Sequence, residues 1–197
     1  MAEIFDNKKG SKYGYAEAQY NLGLCYYNGD GIEKNLKIAV ECFRKAAEHG
    51  HADAQCILGL CYIHGEGLEL NHEFAFAWFS EAANKGHAGA QCNLGLCYNN
   101  GYGVERDLEL AIIWFEKAAE QNHAGAQYNL GVCYREGYGL DVNLILAAEW
   151  FKKAAEQGHA KAQYNLAACY YDGAGVEKNH VLANEWHRKA LGNTDKQ

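Results

Sequence analysis

The sequence has no apolar run approaching the roughly 20 residues of a membrane-spanning helix, and its opening, from Met1 to Gly14, has no apolar centre of the kind a secretory signal carries. Clusters of basic residues are also missing. With 18 Lys and Arg against 25 Asp and Glu, the net charge is −7, which argues against nucleic acid, since phosphate binding depends on gathered cations. No serine, cysteine or carboxylate pair stands out as a nucleophile beside its base. These absences exclude a membrane span, a nucleic-acid binder and the commoner covalent mechanisms. The expectation is a soluble, cytoplasmic chain, with a processed secreted form as the alternative.

What is present is repetition. The pair Ala-Gln stands at Ala18-Gln19, Ala54-Gln55, Ala90-Gln91, Ala126-Gln127 and Ala162-Gln163, every 36 residues without an insertion. A hydrophobic share of 49% is too high for disorder, and a period of this size indicates a solenoid, in which each unit buries its apolar face against its neighbours. The expected organisation is a lead-in tail, residues 1–15, irregular in structure. A single domain over 16–197 follows, with repeats 16–51, 52–87, 88–123, 124–159 and 160–195. The closing stretch LGNTDKQ adds no capping helix.

Each repeat reads as two helices, the first over its opening thirteen residues and the second over roughly positions twenty to thirty-three. Between them stands Gly-x-Gly, from Gly29/Gly31 to Gly173/Gly175, which suits a helix end that needs positive φ. Asn35, Asn71, Asp107, Asn143 and Asn179 follow as N-caps. The second break is Gly50, Gly86, Asn122 or Gly158, each followed by histidine. Placed at 100° per residue, the first helix of repeat three separates into two arcs. The arc of Ala90, Gln91, Leu94, Gly95, Cys97 and Tyr98 recurs in nearly every copy and is the expected core. The opposite arc, Gly89, Cys92, Asn93, Leu96, Asn99 and Asn100, varies from copy to copy. At the ends of the array, the Trp78 position is Cys42 in repeat one, and the recurring Phe becomes His187 in repeat five, as terminal caps would require.

The eight cysteines are expected to be small buried thiols. Five occupy one repeat position, which puts neighbours roughly 8–10 Å apart, beyond disulfide reach. Cys56 and Cys92 fall on the variable arc, where exposure is one reading and apolar replacement of a tyrosine the favoured one. The ladder His51, His87, His123 and His159 fixes turns; at that spacing its members cannot converge on a zinc ion at about 2.0–2.1 Å. No metal and no cofactor is expected.

The combined pattern A-x-A-Q-x-x-L-G-x-x-Y, G-x-G-V and A-x-x-W-F-x-K-A-A-E-x-G-H resembles the Sel-1-like repeat over about Ala16 to Leu191. The resemblance implies an all-α, right-handed α-solenoid of five helix-turn-helix repeats, related to tetratricopeptide repeats, with first helices lining the concave side. It also implies an adaptor of protein complexes and not an enzyme. A cysteine-rich branch of the family is linked to β-lactam binding or hydrolysis, but the positions of its bridges, Gln19 and Ala47 in repeat one, are not cysteine here.

The variable arc is therefore the candidate site, a concave groove for a protein or peptide partner, in a chain expected to be monomeric. Its proposed contacts are Tyr20, Asn21, Tyr27 and Asn28; Ile63 and His64; Asn93, Asn99 and Asn100; Tyr128, Asn129, Arg135 and Glu136; and Tyr164, Asn165, Tyr171 and Asp172. Tyrosine offers amphipathic contact area and asparagine pairs with peptide backbone. The alternatives are a β-lactam enzyme and a structural module of a larger assembly.

Overall fold

The computed structural model describes residues 2–192, with side chains from residue 14 onward. Among these residues every regular element is a helix: α1 (Ala2–Asn28), α2 (Leu36–Glu48), α3 (Ala52–His64), α4 (His72–Asn84) and α5 (Ala88–Asn100), then α6 (Leu108–Glu120), α7 (Ala124–Glu136), α8 (Leu144–Glu156), α9 (Ala160–Asp172) and α10 (His180–Gly192). Odd-numbered elements are the first helices of the repeats and even-numbered ones the second. The stretch LGNTDKQ lies mostly outside the described residues.

Proline is absent from the chain, so glycine and capping side chains carry all the punctuation. Gly65, Gly101, Gly137 and Gly173 end their helices in the left-handed region, with φ between 70 and 78°, a conformation that costs glycine nothing. In repeats two, three and five the second glycine of the pair has a further reason to be small. A Cβ on Gly67, Gly103 or Gly175 would collide with the backbone carbonyl of Leu36, His72 or Leu144, one repeat earlier. The expected asparagine and aspartate caps are in place, with Asn35, Asn71, Asp107 and Asn143 accepting from the amides of Ile38, Phe74, Leu110 and Leu146 at 2.9–3.1 Å.

The histidine ladder is the matching set of caps for the first helices. Nδ1 of His51, His87, His123 and His159 accepts from the amides of Ala54, Ala90, Ala126 and Ala162 at 2.9–3.3 Å. This explains a difference from expectation at the N-terminus. Residues 2–15, expected to be irregular, are helical and continuous with the first repeat helix. Tyr15 stands where the other repeats have histidine, and its oxygen lies too far along the ring to cap the next amides. Nothing there stops the helix.

The chain divides into two compact units, one up to Arg106 containing α1–α5 and one from Asp107 containing α6–α10. In the first unit each helix packs on the next along the chain, and Val40, Ala46 and Ala47 of α2 form a core cluster with Ala54, Leu58 and Cys61 of α3. In the second, α6 packs on α7 and so on to α10, around Ala148, Phe151, Ala154 and Ala155 of α8 with Ala162, Leu166 and Cys169 of α9. Phenylalanine and glycine are fitted together within repeats one, two and four. A Cβ on Gly23, Gly59 or Gly131 would stand 2.5–2.6 Å from the ring of Phe43, Phe79 or Phe151, so the small residue is what admits the large one.

Buried glutamines tie one repeat to the next. The amides of Gln55, Gln91, Gln127 and Gln163 donate to the carbonyls of Ala47, Ala83, Ala119 and Ala155 at 3.0–3.5 Å. Lys85 and Gln157 then donate to the free oxygens of Gln55 and Gln127 at 2.9 and 2.7 Å. Satisfying both ends matters, because an unpaired buried amide costs more than a hydrogen bond returns.

The predicted core arc of α5 is buried from Ala90 to Cys97, with Tyr98 half-buried. All eight cysteines are free thiols and seven are buried, Cys25 being half-buried. Burial holds the thiols of Cys56, Cys61 and Cys133 up at about 11 and that of Cys97 at about 12. They are packing groups and not nucleophiles.

Candidate functional site

The variable arc is less open than its variation suggests, because half of it serves the stacking of successive first helices. Cys56 and Cys92, at a position that is tyrosine in the other repeats, are only 7% and 5% exposed. Cys56 Sγ meets Asn93 Nδ2 of the following repeat at 3.8 Å. Where the position is Tyr20, the ring stacks on His51 at 4.4 Å and 22°. Tyr128 does the same with His159 at 4.7 Å and 23°. Both tyrosines are half-buried and also face Phe43 and Phe151 at 6.1 and 6.0 Å. Tyr20 and Tyr128 therefore pack on the histidine that caps the next first helix, and Cys56 on Asn93 of such a helix, a role that spacing alone did not reveal.

In the first unit, the rest of the candidate surface is polar and pairs mainly with itself. Asn21 is exposed and donates to Glu17 at 3.3 Å. Tyr27 is half-buried, and its hydroxyl donates to Glu66 at 2.6 Å. That bond, together with burial, pushes its pKa up to about 12. Asn28 donates to Asp30 at 3.0 Å, Ile63 is half-buried and His64 is exposed. Asn99, half-buried, donates to exposed Asn100 at 3.1 Å, while its carbonyl accepts from Arg106 Nε at 2.9 Å.

In the second unit Asn129 and Asn165 are half-buried, and Arg135 Nε donates to Glu136 at 2.7 Å. The last repeat differs. Tyr164 and Tyr171 are 58% and 60% exposed, and with Asp172 they line a cavity of about 300 Å³. Its other walls include Ala168, Asn184 and His187. Three of the proposed contacts thus converge on one cavity. Asn184 was not among the candidates, and His187 was read only as a cap. The available signal was their joint departure from the pattern of the earlier repeats.

Among the described residues no group of three His, Cys, Asp or Glu side chains comes together to hold a metal. What the surface offers is hydrogen-bonding side chains and aromatic rings on a stiff helical frame. The Sel1 repeat family profile matches residues 16–51, 52–87, 88–123, 124–159 and 160–192. The chain belongs to the Sel1 repeat family.

Among solved structures, it is similar to c5321, a protective antigen of uropathogenic Escherichia coli strains displaying an SLR fold. Identity is 35% and the TM-score 0.82, over 91% of this chain and 38% of that one. A Sel1 repeat protein from Oxalobacter formigenes is 34% identical with a TM-score of 0.84, over 90% of this chain and 71% of that protein. This Sel1 chain therefore spans well under half the length of c5321. No curated protein matches it. The fold is the all-helical solenoid of Sel1 repeat proteins, a family whose members generally mediate protein interactions.

Proposed function

We propose that this Sel1 chain is a non-enzymatic scaffold that binds an extended protein segment along the outward faces of its first helices. The observation that carries this reading is the division of each first helix. In α3, α5, α7 and α9 the recurring Ala, Gln, Leu and Cys are buried, while Asn100, Tyr164, Tyr171 and Asp172, with Asn21 and Asn28 of α1, are exposed. Asparagine amides can both donate to and accept from a peptide backbone, and exposed tyrosines supply contact area with little entropy to lose. Buried thiols with raised pKa values weigh against the β-lactam alternative. They also accord with a reducing, cytoplasmic setting for a monomeric, single-domain chain.

Panning a displayed random-peptide library on the purified chain tests the reading. Enriched peptides should lose at least about tenfold in affinity on Asn21→Ala/Asn28→Ala or Tyr164→Ala/Tyr171→Ala, in the range of interface anchor residues. Both variants should keep the wild-type circular dichroism. No enrichment over an unrelated helical protein, or peptides indifferent to both variants, would overturn it. Turnover of a chromogenic cephalosporin that disappears with Tyr164→Ala/Tyr171→Ala would favour the enzyme instead.

A further inference from the structure

The fourth and fifth repeats place equivalent residues in very different circumstances. In repeat four, Arg135 donates to Glu136 at 2.7 Å, and its guanidinium stands 5.5 Å from the centre of the Phe151 ring. A carboxylate and an aromatic face together hold a planar cation there, the arrangement in which guanidinium is favoured over ammonium. The counterparts one repeat later are Tyr171, Asp172 and His187. The carboxylate and an aromatic ring are kept, but the residue that carried the cation is now a tyrosine.

The lining differs as well. Val132 and Phe151 have become Ala168 and His187, and these changes line the cavity of about 300 Å³ that also bears the exposed Tyr164 and Tyr171 rings. Asn184, where repeat four has Ala148, adds an amide oxygen able to accept a further N–H. Rings, carboxylate and amide oxygen form the complement of a planar, many-donor cation. The ring of Tyr171 already has a cation near it, the Lys178 ammonium, 5.9 Å from its centre.

We propose that the fifth-repeat cavity receives the guanidinium of an arginine side chain supplied by a partner polypeptide, as Arg135 supplies its own in repeat four. Asp172 pairs with it, the tyrosine rings flank it and Asn184 accepts from it. The proposal rests on the peptide-binding reading above and names one residue that the bound segment carries.

The test is an amide-resolved NMR titration of the ¹⁵N-labelled full chain with N-acetyl-arginine amide, beside the lysine and citrulline amides. The arginine amide should shift resonances around Tyr164, Asp172 and Asn184. Citrulline, which keeps the shape and loses the charge, should bind at least about tenfold more weakly, as loss of a charge-assisted pair requires. Asp172→Asn should lower arginine to the citrulline level, and Tyr171→Arg, which restores the repeat-four arrangement in cis, should abolish binding with the helical signal intact. Equal binding of arginine and citrulline, shifts centred elsewhere, or indifference to both variants would overturn the proposal. If library peptides bind and respond to Asn21→Ala/Asn28→Ala while the arginine amide fails, the cavity assignment falls and the scaffold reading stands.

Discussion

Repeats four and five have the same length, caps and buried leucine, yet one is closed on its outer side and the other open. Leu130 and Leu166 are both fully buried, and His123 and His159 cap α7 and α9 in the same way. The difference lies in a few positions around that common frame. In repeat four Gly131 leaves room for Phe151, Arg135 folds over the ring, and Tyr128 is covered by His159, the cap of the next first helix. In repeat five Ala167 stands beside His187, the arginine is a tyrosine, and Tyr164 faces His187 at 5.9 Å. A repeat protein can thus hold its scaffold constant and change one surface, because packing constrains the two sets of positions separately.

The largest expected effect tests the shared frame. Leu130→Ala and Leu166→Ala should each cost about 2–5 kcal/mol in chemical denaturation, the range for a fully buried leucine. A Leu166 variant that loses almost nothing would show that the fifth repeat does not share the core of the fourth. Next comes the glycine fit. Gly131→Ala should cost about 1–3 kcal/mol, since its new methyl meets an aromatic ring in a packed core. Combined with Phe151→His, the pair found in repeat five, the loss should be smaller than the two single costs added, by about 1 kcal/mol of coupling. Strict additivity in that double-mutant cycle would remove the explanation for the paired change.

The tyrosines should separate the repeats more gently. Tyr128→Ala removes a ring stacked on His159 and should destabilise by about 1 kcal/mol or more. Exposed Tyr164→Ala should stay within about 0.5 kcal/mol. The reverse order in thermal or urea melts would mean that the stacked and free positions have been exchanged.

The smallest effect is a pH dependence at the junction of the two repeats. Burial, with Lys161 and then His123 adding charge repulsion, holds the His159 pKa below its ordinary 6.5. A histidine whose folded pKa is depressed contributes stability that is complete above the unfolded value and is lost as pH falls through the folded one. Protonation also removes the Nδ1 lone pair that caps α9. Stability should therefore decline as the pH drops below 6.5, and His159→Asn, which caps without titrating, should flatten that part of the profile. An unchanged slope in the variant would assign the acid sensitivity to other groups.

Much of the frame was legible because it depends on local chemistry repeated five times. Asn71 and Asp107 could be read as caps, Gly65 and Gly101 as helix ends, and Leu94 and Cys97 as core, since each obeys a rule acting within a few residues. The continuation of α1 through residues 2–15 was not, because it turns on what Tyr15 fails to do as a cap. Nor was the clash awaiting a Cβ on Gly103 or the stacking of Tyr128 on His159. Each depends on an atom supplied from some thirty residues along the chain, at a distance that sequence spacing does not contain.

By itself the sequence determined the period, the two-helix unit, its caps and the family, since these follow from residue type and position along one chain. Tertiary structure alone decided which members of the varying face remain open. Stacking covers Tyr20 and Tyr128 but leaves Tyr164 and Tyr171 exposed, and it fills with Arg135 in one repeat the place left vacant beside Asp172 in the next. Exposure is a property of neighbours, and identical residues acquire different neighbours only once the helices are packed.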